Sequence, residues 1–91
     1  QSRGRPPAIL SPHADVSYVS RALASRPTRI ALRASADSDV RKLFWFVNGD
    51  FLGESPPRSD FFWKANVGTH LVRVVDELGR SAQRRIKVTL E

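Results

Sequence analysis

Asn48-Gly49, set between FWFV and DFLG, is the feature that most constrains what this chain can fold into. Both central residues of a type I′ turn need positive φ, which Asn and Gly adopt at least cost. Between alternating apolar segments the dipeptide therefore marks a tight β-hairpin: a strand over 41–47 that returns through Phe51-Leu52 and ends at Gly53. One hairpin alone is marginal in water, so further strands must cover its apolar face.

The rest of the chain supplies them. Residues 28–34 alternate, with Ile30, Leu32 and Ala34 on one side and Arg29 and Arg33 on the other. The stretch 34–39, ASADSD, is a polar turn. Residues 61–64 form a strand turned by Asn66-Val67-Gly68, 70–75 form another, and Asp76-Glu77-Leu78-Gly79 is a second tight turn. The last strand sets Ala82, Ile86, Val88 and Leu90 against Gln83, Arg85, Lys87 and Thr89; Arg84 interrupts the apolar row, with a stem long enough to reach water. Near the start, Ala8-Ile9-Leu10, closed by Ser11-Pro12, reads as an edge strand, and Val16 and Tyr18 as a second short edge piece. The prolines of GESPPRSD exclude ladder pairing there. The best helix candidate, 19–25, runs into Arg26-Pro27 and amounts to a single turn.

About seven hairpin-linked strands at this spacing predict an all-β fold, an antiparallel Ig-like or fibronectin-III-like sandwich, with a small barrel as runner-up. Residues 1–7, rich in Arg and Pro, read as a linker remnant of a longer chain, and 8–91 as one domain. The expected core is Ile30, Leu32, Trp45, Val47, Trp63, Val72, Val74, Ile86 and Val88, with Trp45 the central ring.

Charge and chemistry narrow the function. Fifteen Lys and Arg against nine Asp and Glu leave a net +6, which favours anionic neighbours such as nucleic acid, anionic lipid or cell-wall polymer, or simply a basic solvated surface. The chain has no cysteine, which excludes disulfides, a thiolate nucleophile and a Cys zinc site. Of the two histidines, His70 opens a strand as a structural or surface residue. His13 and Asp15 lack a third metal ligand at useful spacing. Asp37 and Asp39 lack the glycine and terminal Glu of a calcium loop. No phosphate-cradling loop and no nucleophile elbow occurs. No catalytic residue, cofactor site or metal site is expected. Basic charge plus aromatics permits a nucleic-acid-binding β domain, but the rings fall inside strands that need them as core.

The order of landmarks carries a resemblance. Ile9 to Pro12 (ILSP), WFVNG with a following Leu52-Gly53, Trp63 after a Pro-containing loop, Gly68-Thr69-His70, then Val75-Asp76 with Gly79-Arg80-Ser81-Ala82 resemble the C-terminal domain of bifunctional penicillin-binding proteins of the 1C type. The resemblance spans about residues 8–90; 12–26 match least. It implies a parent on the periplasmic side of the bacterial inner membrane, anchored there, with glycosyltransferase and serine transpeptidase domains for peptidoglycan synthesis. This chain would be its noncatalytic tail. The transpeptidase Ser-x-x-Lys is absent: the residues three before Lys42, Lys64 and Lys87 are Asp39, Phe61 and Arg84. The competing identity is an Ig-like adhesion or carbohydrate-binding module of another bacterial surface protein.

Alternation also predicts a surface. If Trp45 and Val47 point inward, Phe44 and Phe46 stand on the outer face of their sheet, joined by Leu71, Arg73 and Val75 and, from the last strand, by Arg85 and Lys87. This apolar centre with a basic fringe is the candidate docking surface, for the parent's transpeptidase domain, a cell-envelope protein or anionic peptidoglycan. The alternative is that Phe51-Leu52 and the Pro56-Pro57 loop cover the rings.

Overall fold

In the computed structural model, residues 4–13, 17–20 and 28–90 are described. They form eight strands: β1 (Ala8–Ser11), β2 (Ser17–Ser20), β3 (Thr28–Ser35), β4 (Leu43–Val47), β5 (Asp50–Ser55), β6 (Phe61–Ala65), β7 (Gly68–Asp76) and β8 (Ser81–Leu90). One sheet has the order β1-β3-β6 and the other β2-β8-β7-β4-β5. All pairings are antiparallel except β2 on β8, which is parallel. The two edge pieces expected near the start thus belong to different sheets. β1 is closed by a cis Ser11–Pro12 peptide. Of the helix candidate, Val19 and Ser20 lie in β2; residues 21–25 fall outside the described set, as does Val16.

The sandwich is held by apolar side chains from both inner faces. All nine expected core residues are buried, and Ile9, Ala34, Val40, Leu43 and Ala65 complete the cluster. Trp45 is fully buried, and its indole Nε1–H donates to the Ser55 hydroxyl at 2.9 Å, so the ring's one polar group is satisfied inside the core. The Asn48-Gly49 turn has the expected backbone, with φ of 53° and 87°. β5 is longer than expected because a bulge at Leu52 opposes Trp45 to Gly53 while Phe46 faces Phe51. Gly53 permits this: a Cβ there would come within 2.8 Å of the Phe61 ring.

Arg84 behaves differently from the expectation that its head reaches water. It is half-buried, and Nη1 donates to the carbonyls of Ile9 at 3.0 Å and Pro12 at 2.7 Å. A charged head inside the apolar row is tolerated because it satisfies carbonyls at the end of β1, stitching the two sheets at their open side.

Candidate functional site

The strand registers bring the candidate surface together. Across β4 and β7, Phe44 opposes Val75 and Phe46 opposes Arg73; across β7 and β8, Leu71 opposes Arg85 and Thr69 opposes Lys87. Directly opposed residues share a face, and Trp45 with Val74 takes the inner one, so these side chains occupy the outer face of the five-stranded sheet. Phe44, Phe46, Leu71 and Val75 are half-buried by their neighbours, while Arg73, Arg85 and Lys87 are exposed. Glu54, opposite Phe44, lies 3.6 Å from Lys42 at the edge of that face, and Arg73, Arg85 and Lys87 make the fringe cationic.

Phe51 was not among the expected surface residues. It is 59% exposed, and its ring centroid lies 5.5 Å from that of Phe46. It therefore packs against Phe46, covering part of that ring as the alternative has it, and adds an exposed ring to the patch without closing it off. The signal was present in the sequence, since a two-residue Asn-Gly loop sets Phe46 opposite Phe51. Nor does the proline loop fold over the rings: Arg58 N–H donates to Ala34 O at 2.8 Å, tying the loop to the other sheet. Arg58 takes a positive φ of 64° to do so.

Two polar clusters lie elsewhere. At the hairpin end, Asn48 Oδ1 accepts the Leu71 N–H at 2.9 Å and its amide nitrogen meets His70 Nδ1 at 3.0 Å. His70 Nε2 faces the Asn66 carbonyl at 2.7 Å, which puts the ring N–H on Nε2 and leaves Nδ1 to accept from Asn48. With the ring also edge-on to Trp63 at 5.0 Å, His70 locks two turns together, the structural role expected of it. The cleft beside it is lined by Asn48, Asn66 and His70, which are engaged with one another, together with Asp50, Lys64 and the apolar Leu52 and Trp63.

At the opposite end, Asp76 is buried and accepts three hydrogen bonds: from the N–H groups of Leu78 and Arg80 at 2.9 Å each and from Arg80 Nε at 2.7 Å. Burial pushes its carboxyl upward, but these bonds outweigh it and hold the group below the ordinary 3.8. The same pairing raises Arg80, whose head also reaches Asp37 at 3.5 Å and Asp39 at 3.6 Å. Sequence reasoning saw only a tight turn here. The interleaving of one Arg with three Asp from two distant turns has no periodic signature. Among the described residues no group of three His, Cys, Asp or Glu side chains could hold a metal, and no helix is long and apolar enough to cross a membrane.

The described geometry thus contains a sandwich with one aromatic, cation-fringed face. The Penicillin-Binding Protein C-terminus Family matches residues 1–88. The chain belongs to that family. In fold it is similar to the fibronectin(III)-like modules of Clostridium thermocellum CbhA, with 17% identity, a TM-score of 0.71 and coverage of 92% of this chain and 96% of that one. At that identity the likeness shows the architecture alone. A comparison with curated proteins gave no match. Family and fold together fit a noncatalytic Ig-like domain, in keeping with the resemblance carried by the WFVNG and GRSA landmarks.

Proposed function

We propose that this chain is a noncatalytic docking domain of a peptidoglycan-synthesising enzyme, working on the periplasmic side of the bacterial inner membrane within a membrane-anchored parent. The observation that carries the reading is the outer face of the five-stranded sheet, where Phe44, Phe46, Leu71 and Val75 sit half-buried beside an exposed Phe51 and inside a fringe of Arg73, Arg85 and Lys87. Aromatic and Arg side chains at the centre of a patch are the composition of an interface core. Its occupant is a protein surface with an apolar middle and a carboxylate rim, supplied by the parent's transpeptidase domain or a separate envelope protein. A second copy of this face would oppose cation to cation.

The immobilised domain is expected to retain such a partner from envelope extract, with retention falling as salt rises from low to physiological strength. Phe46→Ser should weaken binding by about tenfold or more, with the melting temperature little changed, because the ring stands outside the core. Equal retention by a folded Phe46→Ser domain removes the docking claim. Retention of purified peptidoglycan that ignores the same substitution would move the role to glycan contact.

The noncatalytic half of the reading has its own check. No Ser-x-x-Lys and no Lys-Thr-Gly occurs, so a labelled β-lactam is expected to leave the isolated domain unacylated. Covalent labelling of any serine would overturn it.

A further inference from the structure

We infer that the Asp37–Arg80 pair is a seat for the segment leading into β1, holding residues 4–7 against the sandwich as a fixed extension of it. Three successive features hold Gly4 to Pro7. Pro7 is buried. The Arg5 N–H donates to Asp37 Oδ2 at 2.7 Å, the same oxygen that lies 3.5 Å from Arg80 Nη1. Gly4 lies so close on the guanidinium that a Cβ would overlap Arg80 Nη1 and come within 2.7 Å of Asp37 Oδ2.

The guanidinium cannot easily yield. Its Nε is held by the buried Asp76 at 2.7 Å, and the side chain is only 11% exposed. Nη1 and Nη2 are buried and approach Asp37 at 3.5 Å and Asp39 at 3.6 Å, and Gly4 lies against Nη1. Glycine at position 4 therefore serves close approach, a role a larger residue cannot take without unseating Arg80 or the segment. Pro6-Pro7 adds stiffness, since each ring fixes φ and removes a donor.

A flexible tether needs none of this. Gly- and Ser-rich linkers stay mobile because nothing pairs their backbone. Here a carboxylate from the β3–β4 turn and a guanidinium from the β7–β8 turn converge on two residues of lead-in chain. Residues 4–7, read from the sequence as part of a linker remnant, are therefore seated on the sandwich instead of trailing from it.

The chain has no cysteine, so paired nitroxides can be placed uniquely. Labels at Arg5→Cys and Lys64→Cys keep the Arg5 N–H, and their distance distribution is expected to be as narrow as that of a control pair at Lys64→Cys and Gln83→Cys. Asp37→Ala should broaden the first pair by about twofold and leave the control unchanged. Asp37→Asn, whose amide oxygen can still accept the N–H, should stay nearer the narrow form. In the unlabelled protein the Arg5 amide should exchange about tenfold slower than in a free peptide. A first pair already as broad as in Asp37→Ala, or an Arg5 amide exchanging at the free-peptide rate, overturns the seat. Neither Arg5 readout depends on Phe46 or on a bound partner, so docking and seat fail independently.

Discussion

Trp45→Ala is expected to lower the stability of the domain by about 3–5 kcal/mol, a large part of the total for a fold of this size. Two effects combine. The indole is fully buried between the sheets, opposite Val74 in register, so its removal leaves a cavity that a close-packed core fills only in part. The Ser55 hydroxyl, 7% exposed, also loses its 2.9 Å partner inside the core. Trp45→Phe should be milder, since it keeps most of the ring volume and loses chiefly the hydrogen bond. Chemical denaturation of the three proteins checks the order. A Trp45→Ala domain with an almost unchanged melting temperature would mean that the inward register is wrong.

Asp76→Ala should cost a similar amount, about 3–5 kcal/mol, because it breaks a buried ion pair and strands the groups around it. The carboxylate closes the β7–β8 turn through the Leu78 and Arg80 N–H groups and anchors the Arg80 head. Its pH dependence has a definite sign. The folded-state value is held below the ordinary 3.8, so the contribution is fully present above that pH and is lost as pH falls through the folded value. Melting temperatures of wild type and Asp76→Ala should therefore stand well apart near neutrality and draw closer in strong acid. A gap that stays constant down to the lowest pH would contradict the assignment of that carboxylate.

Much of the sandwich was legible because its strands are amphipathic on a period of two. Ile30, Leu32, Val72, Val74, Ile86 and Val88 each follow the alternation, and each is buried. The Asn48-Gly49 pair fixed the pairing of Val47 with Asp50 and of Phe46 with Phe51, and the alternation around an inward Trp45 gave the outward placement of Phe44 and Phe46. What was not legible depends on contacts between segments far apart in sequence. Arg84 looked like a break in the apolar row; its partners are carbonyls of Ile9 and Pro12 on another strand. Arg80 entered the sequence reading only as part of the Gly79-Arg80-Ser81-Ala82 landmark; its environment is made by Asp37 and Asp39 as well as by Asp76. The bulge at Leu52 and the run of β5 past Gly53 to Ser55 bring Gly53 against the Phe61 ring on β6. None of these leaves a local signature that periodicity can detect.

The docking face is the claim on which the functional account turns, and site-specific photocrosslinking within the full-length parent tests it most directly. A photoreactive phenylalanine analogue at position 46, on the outer face of the five-stranded sheet, should form one dominant crosslink, to the parent's own transpeptidase domain or to one envelope protein. The same analogue at position 62, more exposed than position 46 and on the other sheet beside Arg29, should form none of comparable yield. Crosslinks of equal yield from both positions, or from position 62 alone, would contradict the account.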